Sequence, residues 1–431
     1  MGRSRIRLPR SLGEFAGFAS STVVVQTARV ATGLIAARVL GPVEWGEWYV
    51  LNLILAYGSL THLGALSAMS RDVPAAMGRG DPVQAKRLAS TSLGMTIAGG
   101  LCGAVVVTLL ARLSVVRGEL ASVALVGALL VSQQAYNFVV AYLRAKVRFP
   151  SASRLQFALA GTYLSLGVGG VLAFALPGFI LGILIAHVIA VGAGWRHLKD
   201  IGIALEGSVA RQLIASGLPI MLVGVANTLF TTVDRWIVLL RLGQYELGLY
   251  SLAIMALNAM ALLPQVVSQQ VYPRIAFSWA RSGSIHELER LVRRQRLASQ
   301  TLTLPLTVVA IIAFPPLVER FLPEYADAVP AISVTLLTPL VASFGQGYSA
   351  TLHVLGRQGW YLSAVLFAAV LNVVLSLALV GPLGLVGVAT ATLVGNAALA
   401  LLRILLGAIA LRRAARRPQG SEATNASMVG R

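Results

Sequence analysis

Arg29 is the residue whose position most demands chemistry. It lies about fourteen residues into an apolar run over 15–39, roughly 20 Å along a helix rising 1.5 Å per residue, far from either end. A charged side chain at that depth costs roughly 2.5–3.5 kcal/mol on insertion scales, so it marks a functional candidate. Its guanidinium fork matches the oxygens of a phosphate, and Gln26 stands one turn away on the same face. The alternative is a structural arginine bonded to nearby carbonyls or to an acid. Asp234 is the clearest acid inside an apolar run. It suits a proton or Na⁺, or a pair with Arg29, or a plain pair with its neighbour Arg235. His187, in the middle of the sixth run, titrates near neutral pH when unperturbed, or serves as hydrogen-bonded glue like His62 and His353. The amides Gln133, Gln134, Asn137, Asn227 and Gln265 fit two roles. They offer the donors and acceptors that sugar hydroxyls need, or they bond helix to helix.

The elements that must carry these residues follow from composition. The chain is 57% hydrophobic and 12% charged, with a mean hydropathy of +0.78. Soluble domains are about 25% charged, so this is an integral membrane protein. Spans of about 20 apolar residues are predicted at 15–39, 46–69, 88–111, 120–142, 153–176, 178–195, 213–238, 247–273, 298–318, 328–353, 359–380 and 384–409. Tight turns are expected at Gly41–Trp45, Pro177 and Gly381–Leu383. Pro264, Pro305 and Pro339 are expected to kink their helices.

The net charge of +19 does not point to nucleic acid, because the basic residues fall in short clusters between the apolar runs. One side receives Arg3–Arg10, Arg71–Arg87, Arg144–Arg154, Arg196–Arg211, Arg274–Arg296, Arg357 and Arg412–Arg417. The other receives only Arg112, Arg117, Arg241 and Arg320. The positive side faces the cytoplasm, which puts both termini there.

The stretch Leu40-Gly-Pro-Val-Glu-Trp-Gly46 returns as Leu242-Gly-Gln-Tyr-Glu-Leu-Gly248. Further echoes are Arg87-Leu-Ala-Ser90 with Arg296-Leu-Ala-Ser299, and Gly178–Gly182 with Gly384–Gly387. Six spans separate the copies, and an even number makes the repeats parallel about an axis along the membrane normal. The expected fold is all-α: twelve transmembrane helices in two parallel six-helix bundles, over 1–200 and 201–411, with a disordered cytoplasmic tail over 412–431.

Taken in order, several motifs resemble one family: ARVLGPVEWG after the first helix, Arg71 closing the second and YLRAKVRF after the fourth. In the second half come Gly217-Leu-Pro-Ile220, Asp234-Arg235, LGQYELGLY and Tyr272-Pro-Arg274. They resemble the O-antigen and polysaccharide flippases of the multidrug/oligosaccharidyl-lipid/polysaccharide exporter superfamily, over about residues 12 to 410. The resemblance implies a carrier in the bacterial inner membrane that moves an undecaprenyl-diphosphate-linked sugar to the periplasmic leaflet by alternating access. A polysaccharide polymerase is then a possible partner, and H⁺ or Na⁺ a possible coupling ion. On this reading Arg29 and Gln26 hold the diphosphate, Asn227, Gln133, Asn137 and Gln265 meet the sugar, and Asp234 and His187 serve coupling.

Two other classes stay open. A drug or cation antiporter of the same superfamily needs acids in its lumen, and the sequence offers little beyond Asp234. A membrane-embedded polymerase or glycosyltransferase needs a large extramembrane loop and catalytic acids, and neither is evident. Lys86, Lys146 and Lys199 are the only lysines and none sits in a P-loop. No cluster has metal-ligand spacing, so neither a cofactor nor catalysis is expected.

Overall fold

The computed structural model describes residues 12–112 and 120–416. Arg3–Arg10, Arg117 and residues 417–431, which include most of the expected tail, lie outside the described residues. Every regular element among the described residues is helical: α1 (Leu12–Gly58), α2 (Ala65–Gly78), α3 (Pro82–Arg112), α4 (Leu120–Ala145), α5 (Phe149–Trp195), α6 (Gly207–Arg241), α7 (Gln244–Ser282) and α8 (Ile285–Phe321). A 3₁₀ turn (Pro323–Ala328) follows, then α9 (Val329–Thr335), α10 (Thr338–Ser343), α11 (Tyr348–Val354) and α12 (Gln358–Ala415). Among the described residues nine stretches are long and apolar enough to cross a membrane. Three of them, in α1, α5 and α12, are broken inside by non-helical residues and are long enough for two crossings each. Counted as pairs, these are consistent with twelve crossings.

The breaks lie close to the expected turns but not on the same residues. In α5 the non-helical residues are Phe174 and Ala175, two to three positions before Pro177. Pro177 instead opens the outgoing arm, where a missing N–H leaves no bond unmade. A Cβ on Gly178 or Gly182 would strike the carbonyls of Gly170 and Leu166, so the two arms run back along each other at glycine distance. In α12 the break is at Gly384 (φ 55°), just beyond the expected Gly381–Leu383, and Gly387 faces the Leu379 carbonyl in the same way.

Two predicted spans are interrupted. The helix expected over 46–69 stops at Gly58 and resumes at Ala65, with Leu63 at φ 51° and Gly64 at φ 81°. Gly64 lies on the backbone of Gly217, leaving no room for a side chain at either position. The span expected over 328–353 is built from α9, α10 and α11 joined by turns, and Pro339 starts α10 rather than kinking it. Pro305 lies inside an unbroken α8.

The chain divides into two compact units. The first comprises Met1–Thr228 with Gln244–Gly248, and the second Leu229–Gly243 with Leu249–Arg431. In the first, α5 packs mainly against α1 and α4, and side-chain hydrogen bonds tie the start of α6 to α2 and α3. Ser216 donates to Asp72 (2.9 Å), Arg87 pairs with Glu206 (2.6 Å), and Gln84 donates to Gln212. In the second, α12 packs on α9, α10 and α11.

The repeated motif makes a contact with its own copy, and the residues that meet, Pro42–Gly46 and Gln244–Gly248, lie in the first unit. A Cβ on Gly46 would fall on the carbonyl of Gln244, and one on Gly248 on the carbonyl of Pro42. Pro42 and Gln244 are the aligned positions of the repeat, so each glycine admits the backbone of the other copy. The Gln244 side chain adds a bond to the Val43 carbonyl (3.0 Å). Gly41 and Gly243 share one conformation, with φ 68° and 99° and ψ 175° and −176°. Only glycine takes such values without strain. Gly46→Ala and Gly248→Ala are each expected to destabilise by about 1–3 kcal/mol, because backbone cannot move aside as a side chain can. Gly161→Ala, at a helical site with nothing within 4 Å, is the matched control and should be neutral or better in a thermal melt.

Candidate functional site

Arg29 sits in the first unit on the first arm of α1, half-buried, and its guanidinium lies over the ring of Tyr163 (5.8 Å to the centroid). His187, on the second arm of α5 and only 1% exposed, is wedged between two tyrosines. Its ring centroid is 5.7 Å from that of Tyr136 on α4 and 6.2 Å from that of Tyr163 on the first arm of α5. Tyr136 is itself 5% exposed and belongs to a small core with Val140, Leu159, Ala186 and Ala190. Beside it, Val25, Ala28 and Ala160 seal α1 to α5. Apolar packing thus fixes three helices around four polar side chains.

Their hydrogen bonding is incomplete. Arg29 Nε, Tyr136 Oη and His187 Nε2 are all buried and have no hydrogen-bond partner among the described residues. Native proteins leave few buried polar atoms unmet, and here three lie in one neighbourhood. His187 Nδ1 is 2.9 Å from the Ile183 carbonyl. A carbonyl only accepts, so Nδ1 carries the hydrogen and the neutral ring presents Nε2 as a bare acceptor. No acid balances the guanidinium from α4 or α5, which contain no Asp or Glu at all. The group therefore offers one fixed positive charge, one hydroxyl and one titratable nitrogen in a site sheltered from water. That combination has the chemistry of an anion site.

Asp234 lies in the second unit and is 4% exposed. It accepts from the backbone N–H of Arg235 (2.8 Å), from Tyr250 Oη (3.0 Å) and from Thr392 Oγ1 (3.4 Å). The expected ion pair with Arg235 does not form. Arg235 contributes its backbone, and its buried Nε has no partner among the described residues. Asp234 ties α6, α7 and α12 together.

Residues 35–330 match the family described as polysaccharide biosynthesis protein. The chain belongs to that family. No curated protein sequence matches it. The fold of this family member is that of transporters of the MOP superfamily. One similar structure is a MATE family multidrug resistance transporter in its inward-facing conformation. It is 17% identical with a TM-score of 0.68, over 93% of this chain and 96% of that one. A second is a MOP superfamily transporter from Pyrococcus furiosus, described as having a binding pocket of reverse polarity. It is 15% identical with a TM-score of 0.68, over 94% and 96% of the two chains. The outward-facing conformation of a MATE family transporter matches as well, at 15% identity and a TM-score of 0.67, over 94% and 96%.

The remaining predicted residues of this family member do not all join the group around Arg29. Gln26 is half-buried on the same helix, one turn before Arg29. Gln133 is half-buried, and Asn137 and Gln265 are exposed, so all three can meet a ligand. Asn227 spends one bond on the Val223 carbonyl (2.8 Å) of its own helix. Gln134 is structural: it donates to the Gly58 carbonyl (3.0 Å) and Thr61 Oγ1 (2.8 Å), closing the turn after α1. Tyr136 and Tyr163 were not among the predicted site residues. The only hint in the sequence is a hydroxyl placed where leucine would do.

Proposed function

We propose that this membrane transporter of the polysaccharide biosynthesis family moves an undecaprenyl-diphosphate-linked oligosaccharide from the cytoplasmic to the periplasmic leaflet of the inner membrane. The observation that carries the reading is the trio of unmet polar atoms beside an unbalanced guanidinium. Diphosphate oxygens accept from Arg29 and from the Tyr136 hydroxyl, and Gln26 supplies a further donor. His187 Nε2 takes up a proton as the anion arrives, which removes the repulsion between its lone pair and a phosphate oxygen. In the same unit the exposed amide of Asn137, with Gln133 and Asn227, meets sugar hydroxyls. The inward- and outward-facing conformations of the similar transporters support alternating access as the route.

A cation or drug exchanger is less well supported. It needs an acid free to bind its ion, and Asp234 already accepts from three donors.

Binding of short prenyl probes to the purified full chain tests the proposal. Farnesyl diphosphate should bind at least about tenfold tighter than farnesol, given roughly 1.5–3 kcal/mol for hydrogen bonds to charged groups. Equal binding of the two removes the anion site.

A further inference from the structure

The second unit carries another group of unbalanced cations, at one end of α12. The two arms of α12 double back at Gly384, so its first turn and its last turns lie at the same end. There Arg357 and Arg413 both stack on Trp360, at 5.1 and 5.2 Å from its ring centroid. Arg403 covers the adjacent Tyr361 at 5.3 Å and donates to its hydroxyl (3.2 Å), with His353 against the same ring (4.9 Å). Arg403 and Arg413 are ten residues apart on one helix, about 15 Å, yet both reach the Trp360-Tyr361 pair. Three guanidinium groups thus converge on one dipeptide.

The helices that carry them supply no negative charge. Neither α11 nor α12 contains an Asp or Glu. None of the three arginines is in an ion pair among the described residues, and the buried Arg403 Nε has no hydrogen-bond partner among them. Cation–π contact steadies each guanidinium but cancels no charge, so like charges are held together until an anion arrives. The same helix shows what carries that anion. Leu401, Leu405 and Ile409 are 56%, 49% and 41% exposed and repeat every four residues, an apolar stripe running toward the arginines. A stripe for hydrocarbon that ends at guanidinium and indole groups has the chemistry of a lipid with an anionic head. Tryptophan and tyrosine favour that depth.

We propose that the end of α12 around Trp360 binds the headgroup phosphate of an anionic phospholipid, with an acyl chain along Leu401, Leu405 and Ile409. This is the arginine-rich side, so the lipid belongs to the cytoplasmic leaflet. The site is separate from the group around Arg29 and does not depend on the proposed substrate.

Native mass spectrometry of the full chain, titrated with phosphatidylglycerol or phosphatidylcholine, tests it. Wild type should hold phosphatidylglycerol roughly ten- to thirtyfold tighter, since each basic residue near an anionic surface contributes about a fivefold factor. Arg357→Gln with Arg413→Gln should bring the preference within about twofold, and Trp360→Leu should weaken it by removing the platform. Arg293→Gln with Arg294→Gln, an exposed basic pair on α8, should leave it intact. If the double variant does not purify, Arg413→Gln alone should lower the preference about fivefold. An unchanged preference in the Arg413 variants, an equal loss in the α8 control, or no preference in wild type overturns the proposal. Displacement of the lipid by millimolar inorganic phosphate also overturns it, because the site then reads a free anion.

Discussion

Replacing Arg29 with glutamine should cut glycan export roughly 10- to 150-fold, the equivalent of losing hydrogen bonds to a charged group worth about 1.5–3 kcal/mol. Stability should hardly fall. The side chain is half-buried, its buried Nε is unmet and no acid on α4 or α5 balances it, so glutamine relieves the empty carrier of an uncompensated charge. Loss of function without loss of melting temperature is the signature of a group kept for its ligand. Arg29→Lys keeps the charge but not the planar fork that spans two oxygens, so it should restore only part of the export. Tyr136→Phe removes a hydroxyl that bonds nothing among the described residues and should lower export several-fold, again with stability kept. If Arg29→Gln instead unfolds the protein while the surviving fraction exports normally, Arg29 is structural.

Asp234 should behave in the opposite way. Its carboxylate accepts three hydrogen bonds from α6, α7 and α12, and Asp234→Ala strips the buried Tyr250 and Thr392 hydroxyls of their shared acceptor. Each such group costs about 1–3 kcal/mol, so the alanine variant should lose roughly 3 kcal/mol or more. Asp234→Asn keeps an acceptor oxygen and should lose about 1 kcal/mol and retain most transport. Tyr250→Phe should be much less harmful in an Asp234→Ala background than alone, because its partner is already gone. Thermal melts of the four proteins decide this. An Asp234→Asn variant that melts like wild type but does not transport would return Asp234 to ion coupling.

The contrast between these residues shows where sequence reading reaches and where it stops. Arg29 stood out because a charge deep in an apolar run must be met by something, but the sequence left both a ligand and a structural partner open. The membrane spans and the parallel repeat were legible because both are patterns along the chain. The repeat also shows the limit: nothing in its spacing says that Gly46 and Gly248 each admit the backbone of the other copy. Tyr136, Tyr163 and His187 are joined to Arg29 only by tertiary packing, across separations of up to 158 positions. Neighbouring amides were equally unreadable. Gln133 and Gln134 point to different sides of α4, and only the turn at Gly58–Thr61 makes the second one structural. The pair Asp234-Arg235 suggested a salt bridge because the residues adjoin. Adjacent side chains on a helix diverge by about 100°, and the carboxylate turned to Tyr250 and Thr392 instead.

The measurement closest to the central claim is the leaflet distribution of the lipid-linked oligosaccharide in cells lacking this gene, with the glycan pathway otherwise intact. Accumulation in the cytoplasmic leaflet, reversed by the wild-type gene and not by a normally expressed Arg29→Gln variant, is the predicted result. A normal distribution in the deletion strain, with no second flippase present, contradicts the account.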